Sequence, residues 1–272
     1  MGISRSTYYY KPKGGRPPDM DIAEAIEKIA LDFPSYGYRR ITAELHRQGL
    51  KVNHKRVLRL MRDKNLLCRA RKAFKATTDS SHSLTKYPNL IEDLVPYRTD
   101  HIWHADITYI RIATSFVYLS ALIDGFSRKV VGYGLGRTLS ADLAMAALLD
   151  AISKRNTDNL IHHSDQGIQY CSYDYVEVLK EYGITISMSG KANPYDNAKI
   201  ESFFRTLKVE EIYMFEYETY AEVLERIPYF IEEVYNRKRL HSSLGYMPPE
   251  EFENINIEKM KENESHQLIL TN

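Results

Sequence analysis

Apolar positions along the chain change their spacing about a third of the way through. In the first part they follow a helical period: Ile22, Ile26, Ile29 and Ala30 recur three to four residues apart until Pro34 and Gly37 break the run. A second helix is expected through Ile41 and Leu45. A third should open on Asn53 as N-cap, with Val57, Leu58 and Met61 on its apolar side. From His101 the pattern becomes that of strands, at 101–112, 115–123 and 129–135, with a turn at 124–127 that makes Asp124 a turn residue rather than a reactive acid. Ser140 or Asp142 then opens a helix with Leu143, Ala144, Ala147, Leu148 and Ile152 toward the core. A short strand at 160–163, a helix at 172–182 and a strand at 184–188 follow. After the turn at Asn193, Asp196 caps a further helix, 217–235 is amphipathic, and Pro249 starts a brief helix through Phe252.

The helix after Asp196 carries the candidate chemistry. At about 100° per residue, Glu201, Arg205 and Lys208 share one face, beside an apolar stripe of Ile200, Phe203, Phe204 and Leu207. A solvated charged face is the default for such a helix. The positions of two other acids argue for more. Asp165 lies upstream with thirty-five residues between it and Glu201, and Asp106 lies within the first strand. Each sits in or at the end of an apolar segment, where an unpaired carboxylate is costly.

Three carboxylates with these flanks resemble the Asp-Asp-Glu triad of the integrase and transposase superfamily. The words around them, Asn193 to Lys208 and Tyr235 to Leu244, are similar to those of bacterial insertion-sequence transposases of the second-reading-frame type. The resemblance runs from about residue 3 to residue 254. It implies a ribonuclease-H-like α/β fold, a mixed five-stranded sheet flanked by helices, preceded by a small all-α helix-turn-helix region. It implies Asp106, Asp165 and Glu201 as catalytic residues and as ligands of two Mg²⁺ or Mn²⁺ ions, since hard cations take oxygen donors. Lys208 is then expected on a DNA phosphate, with Arg205, Lys199 and Asn197 in support and Gln166, Gly167 and Tyr170 facing substrate. His104 and His163 adjoin two of the acids and are read as packing or supporting residues rather than as a zinc site.

Charge is unevenly spread. Residues 1–100 carry 20 Lys and Arg against 11 Asp and Glu, and the other 172 carry 17 against 25, so the net +1 is +9 beside −8. A basic first part suits nucleic acid. Within it, Lys55, Arg56 and Arg59 line the third helix as candidate DNA contacts, and Arg237, Arg239 and His241 form a second basic cluster near the end. The expected layout is 1–68 helix-turn-helix-like, 69–99 basic and polar linker, 100–254 catalytic core with a helical extension, and 255–272 polar tail. Two cysteines, Cys68 and Cys171, suit a reducing cytoplasm, and no apolar run reaches membrane-spanning length.

The function expected is DNA transposition: metal-dependent cleavage and strand transfer at element ends, by a homo-oligomer on transposon-end and target DNA, at the bacterial nucleoid. A metal-dependent nuclease on the same fold and a non-catalytic DNA-binding regulator are the alternatives. In two-frame elements a first-frame product supplies a further helix-turn-helix. This sequence is expected to lack that part, which makes the first-frame product a candidate partner.

Overall fold

The computed structural model describes residues 19–68, 84–190 and 197–258. The chain splits into two compact units, Met1–Ala70 and Arg71–Asn272. Asn193 and the expected N-cap Asp196 lie outside the described residues, as do the first part of the expected linker and the end of the tail.

Among the described residues the first unit holds three helices, α1 (Asp19–Asp32), α2 (Tyr38–Arg47) and α3 (His54–Asp63). Ile22, Ile26, Ile29, Ile41, Leu45, Val57 and Met61 are buried together. Gly49 adopts φ +83°, which L side chains resist, and so turns the chain from α2 towards α3. Asn53 caps α3 as expected, its Oδ1 accepting from Lys55 N at 2.8 Å. The apolar face of α3 is rotated from the expected one: Leu60 is buried and Leu58 only half-buried.

The second unit is built on a sheet ordered β3-β2-β1-β4-β5, with β1 (Ile102–Arg111), β2 (Phe116–Asp124), β3 (Val130–Gly136), β4 (Ile161–Ser164) and β5 (Thr185–Met188). β1, β2 and β3 pair antiparallel as two hairpin steps, and β4 and β5 run parallel to β1. Helices α4 (Ala141–Lys154) and α5 (Tyr173–Glu181) connect the later strands. They pack on one face, where Trp103, Ala105, Leu148, Tyr175 and Leu179 form one core. The other face carries α6 (Ala198–Leu207) and α7 (Tyr220–Tyr229) over Ile110, Leu119 and Ile123. This strand order with helices on both faces is the ribonuclease-H-like arrangement.

Close approach sets the first layer. A Cβ on Gly132 of β3 would stand 2.4 Å from Ala147 O and 2.6 Å from Ala151 Cβ, so α4 lies directly on the strand backbone. Gly132→Ala is therefore expected to lower stability by about 2–3 kcal/mol through overpacking. Urea unfolding would check this; a loss below about 0.5 kcal/mol would mean that α4 shifts at little cost.

Three expectations are corrected. Within the expected linker, where a short ordered piece is expected at 90–95, it is residues 88–91 that attach to β5: Met188 N donates to Pro88 O, Leu90 N to Ser187 Oγ, and Ile91 is buried. The expected helix at 217–235 is α7 followed by a wider, π-type turn at Phe230–Asn236. The brief helix from Pro249 continues to residue 258, and Glu253 within it is buried.

Candidate active site

Strand alternation places the first acid. Asp106 and Ile110 lie on the same side of β1, and Ile110 packs with Phe203, Phe204 and Leu207 of α6. β4 runs beside β1 with His104 opposite His163, and two residues further along each strand come Asp106 and Asp165. The Asp165 carboxylate then turns the chain, its Oδ1 accepting from Gly167 N at 2.8 Å. A Cβ on Gly167 would stand 2.8 Å from that oxygen, so the turn needs glycine.

Asn197 seats the third acid. It is 6% exposed, and its Nδ2 donates to Ala105 O at 3.1 Å, the carbonyl just before Asp106. Glu201 follows one turn later with an exposed side chain, while Ile200, Phe203, Phe204 and Leu207 bury the opposite face of α6. Lys208 begins a π-type turn, Lys208–Ile212, with its Nζ 5.2 Å from the centre of the Tyr109 ring.

The acids act on one another. Burial is the main reason the Asp106 carboxyl is pushed up to about 8; the charges of Asp165 and Glu201 raise it further, and Ile107 N and Lys208 oppose them. Burial also lifts the Tyr170 hydroxyl well above its usual range, with Asp106 and Asp165 adding to the effect. Among the described residues no three His, Cys, Asp or Glu side chains are gathered closely enough to hold a metal ion. Asp106 and Asp165 thus stand side by side with Glu201 at the rim. Mutual repulsion works against a tighter group of three anions.

A raised folded value has a definite sign for stability. Between its unfolded value of 3.8 and about 8, Asp106 binds a proton more tightly when folded, so stability falls as pH rises through that interval. Asp106→Asn is expected to stabilise the metal-free chain at pH 9 by on the order of 2 kcal/mol, and far less at pH 4. Unfolding in a chelator at the two pH values checks it; equal effects at both would place the cause outside ionisation.

Other expected DNA contacts divide by burial. Arg205 and Lys55 are exposed, Lys199 is half-buried, and Arg237 is exposed but held by Glu233 and Glu250. In the first unit Arg56 and Arg59 both bind Asp19, at 2.6 and 2.7 Å. Asn197, Arg239 and His241 are corrected: all three are buried. Arg239 grips Glu210 through two bonds of 2.7 Å, and His241 lies edge-on to the Tyr235 ring. Tyr170 faces the core between His162 and Tyr175 rather than substrate. His104 and His163 pack with ring centres 5.7 Å apart, and His163 Nδ1 meets Ser187 Oγ. Asp124 caps its turn as expected, with Oδ1 accepting from Phe126 N and Ser127 N. Tyr109 had no sequence signal beyond its place three residues after Asp106. Asn236 was also missed: its amide pairs with both backbone groups of Val130 at 3.0 Å.

A sheet of this order, with helices on both faces, is the arrangement of an integrase-type core; Asp106 lies within β1 and Asp165 just past the neighbouring parallel β4. Family models agree: integrase core domain matches residues 96–194 and 182–249, and HTH-like domain matches 18–74. The transposase for insertion sequence element IS904 of Lactococcus lactis is 41% identical over 89% of this chain and 98% of its own length. An insertion element IS600 31 kDa protein of Shigella sonnei is 36% identical over 93% and 95%. The InsF transposase of IS3A from Escherichia coli is 40% identical over 82% and 78%. Among solved structures, a chain of a simian T-cell lymphotropic virus intasome aligns at TM-score 0.49 and 15% identity, over 85% of this chain and 74% of that one. The chain belongs to the insertion-sequence transposases with an integrase core, a family of polynucleotidyl transferases. Among the described residues no helix is long and apolar enough to cross a membrane.

Proposed function

We propose that this transposase cuts DNA at its element's ends and joins the freed 3′ hydroxyl to a target phosphodiester, using Asp106, Asp165 and Glu201. What supports the reading is placement: Asp106 on β1 lies beside the parallel β4 that leads into Asp165, and the Asn197 bond to Ala105 brings the helix of Glu201 to the residue before Asp106, so a cation is the natural way to relieve the repulsion among them. Three oxygen donors and no sulfur or imidazole fit Mg²⁺ or Mn²⁺. Asp106 with Asp165 would hold one ion and Asp106 with Glu201 the other. When bound, such ions polarise the phosphate and favour a nucleophilic oxygen.

The chain's own groups do the rest. Lys208, steadied over Tyr109, lies where a phosphate oxygen beside Asp106 would need a counter-charge. The buried Tyr170 ring closes the core behind Asp106 and Asp165 against water. Water is the nucleophile in cleavage and the 3′ hydroxyl in joining. Each step makes one P–O bond and breaks one, the leaving oxygen takes a proton, and no external energy source is required. The exposed Arg205 of the second unit and, by itself, the exposed Lys55 of the first are read as contacts to the DNA backbone. The same reading has the protein at work on the nucleoid in the bacterial cytoplasm, as a homo-oligomer on DNA, with a first-frame product as partner.

The test is incubation of the full chain with labelled duplexes carrying the element's ends and Mg²⁺. Cleaved and joined products are expected. Cleavage without joining would make it a nuclease, and binding without either would make it a regulator.

A further inference from the structure

Several cations withdrawn from solvent in the second unit have a carboxylate partner. Arg155 binds Glu253 and Asp100, Arg239 binds Glu210, Arg226 binds Glu211, and Lys129 lies between Glu250 and Glu253. Arg128 and Lys199 do not: both are half-buried, and among the described residues neither forms an ion pair. The Asp124 charge acts on both, but its oxygens already accept from Phe126 N, Ser127 N and Asp100 N.

Their placement is specific. Arg128 ends the β2–β3 turn with φ +63°, a left-handed conformation that costs a non-glycine residue energy and collects at functional sites. Lys199 is in the first turn of α6, two residues before Glu201 and two after the Asn197 strut. Between turn and helix lies His104, 1% exposed, with neither ring nitrogen hydrogen-bonded. Its Nε2 faces Gly125, where a Cβ would come within 3.2 Å of it. Asn197 lies near enough to favour the protonated ring, but outside hydrogen-bond geometry. Burial lowers the proton affinity of both Arg128 and Lys199, and the Arg128 charge lowers that of Lys199 further, to about 8. Among the described residues the cluster holds two cations and no carboxylate that pairs with either.

We propose that Arg128 and Lys199, with His104 at the floor, bind a DNA backbone phosphate where α6 begins, separate from the phosphate assigned to Lys208. One oxyanion there would accept from both cations and relieve their mutual repulsion. Lying on the same helix as Glu201, the contact would hold one strand at a fixed offset from the acids. The inference rests on the transposase reading and adds a second anchoring point to that site.

The test is the affinity of the full chain for a fluorescent 30-base-pair duplex of arbitrary sequence, measured across a salt series. Arg128→Gln and Lys199→Gln are each expected to weaken binding about three- to tenfold at moderate salt and to lower the slope of log affinity against log salt by about 0.9. Melting temperature is followed in parallel. Wild-type affinity and slope in either variant would overturn the proposal, as would losses that track a fall in melting temperature. Inorganic phosphate that stabilises the wild type, with DNA binding intact in both variants, would mark a free-anion site and also overturn it. A wild-type chain that bound no duplex would sink the transposase reading as well; normal wild-type binding with unaffected variants sinks this inference alone.

Discussion

Replacing Glu201 by Gln is expected to lower Mg²⁺-dependent DNA cleavage by at least about 1000-fold, while duplex affinity stays within about twofold of wild type. The substitution keeps shape and removes one charge. Its fold cost is small, because the Glu201 side chain is exposed and α6 is held by Ile200, Phe203, Phe204 and Leu207 on its other face. What is lost is the third oxygen anion of the site, and with it half of the assigned set for one divalent ion. Single-turnover cleavage of a labelled duplex is the measurement. Activity within about tenfold of wild type would remove Glu201 from the chemistry and leave Asp106 and Asp165 to be explained as a pair.

The largest stability effect is expected at Glu253. Its side chain is 4% exposed and accepts from Arg155 Nη1 and Nη2 at 2.8 and 2.9 Å. Ser127 Oγ donates to it at 2.7 Å. The same Arg155 donates from Nε to Asp100, which also accepts from Trp103 Nε1. Burial alone would raise the Glu253 carboxyl, but Arg155, Ser127 and Lys129 bring it below its ordinary value. Glu253→Ala strands a half-buried guanidinium and is expected to cost about 3 kcal/mol, more than an exposed ion pair contributes. Urea unfolding of Glu253→Ala, Arg155→Met and the double variant separates the contributions. If the double variant loses the sum of the two singles, the residues act independently and the network account fails. A lowered carboxyl stabilises above its unfolded value and ceases to do so as pH falls through the folded one, so the loss should shrink in acid.

Much of this was legible in the sequence where a period was present. The strand around Asp106 and the Ile200, Phe203, Phe204, Leu207 stripe are visible because the first is a largely buried apolar run and the second repeats at three to four residues. The period gives a direction but not the width of the partner surface. In α4 the expected core residue Ile152 lies towards the rim and Ala151 is buried instead, because α4 rests on glycines of β3 and only a small side chain fits. Residues 88–91 offered no period, since they join the core through backbone bonds to β5. The basic word around Arg239 misled for a related reason. A cation reads as exposed until its partner is known, and Glu210 lies twenty-nine positions away.

The strut from Asn197 to Ala105 has a consequence for how such elements diverge. It ties Glu201's helix to the residue adjoining Asp106, so the gap between those two acids is set by one amide and one carbonyl. The count of residues separating Asp165 from Glu201 therefore records the length of a connection and is no ruler for the chemistry. On the proposed reading, a longer or shorter connection is expected to leave Glu201 at the same distance from Asp106.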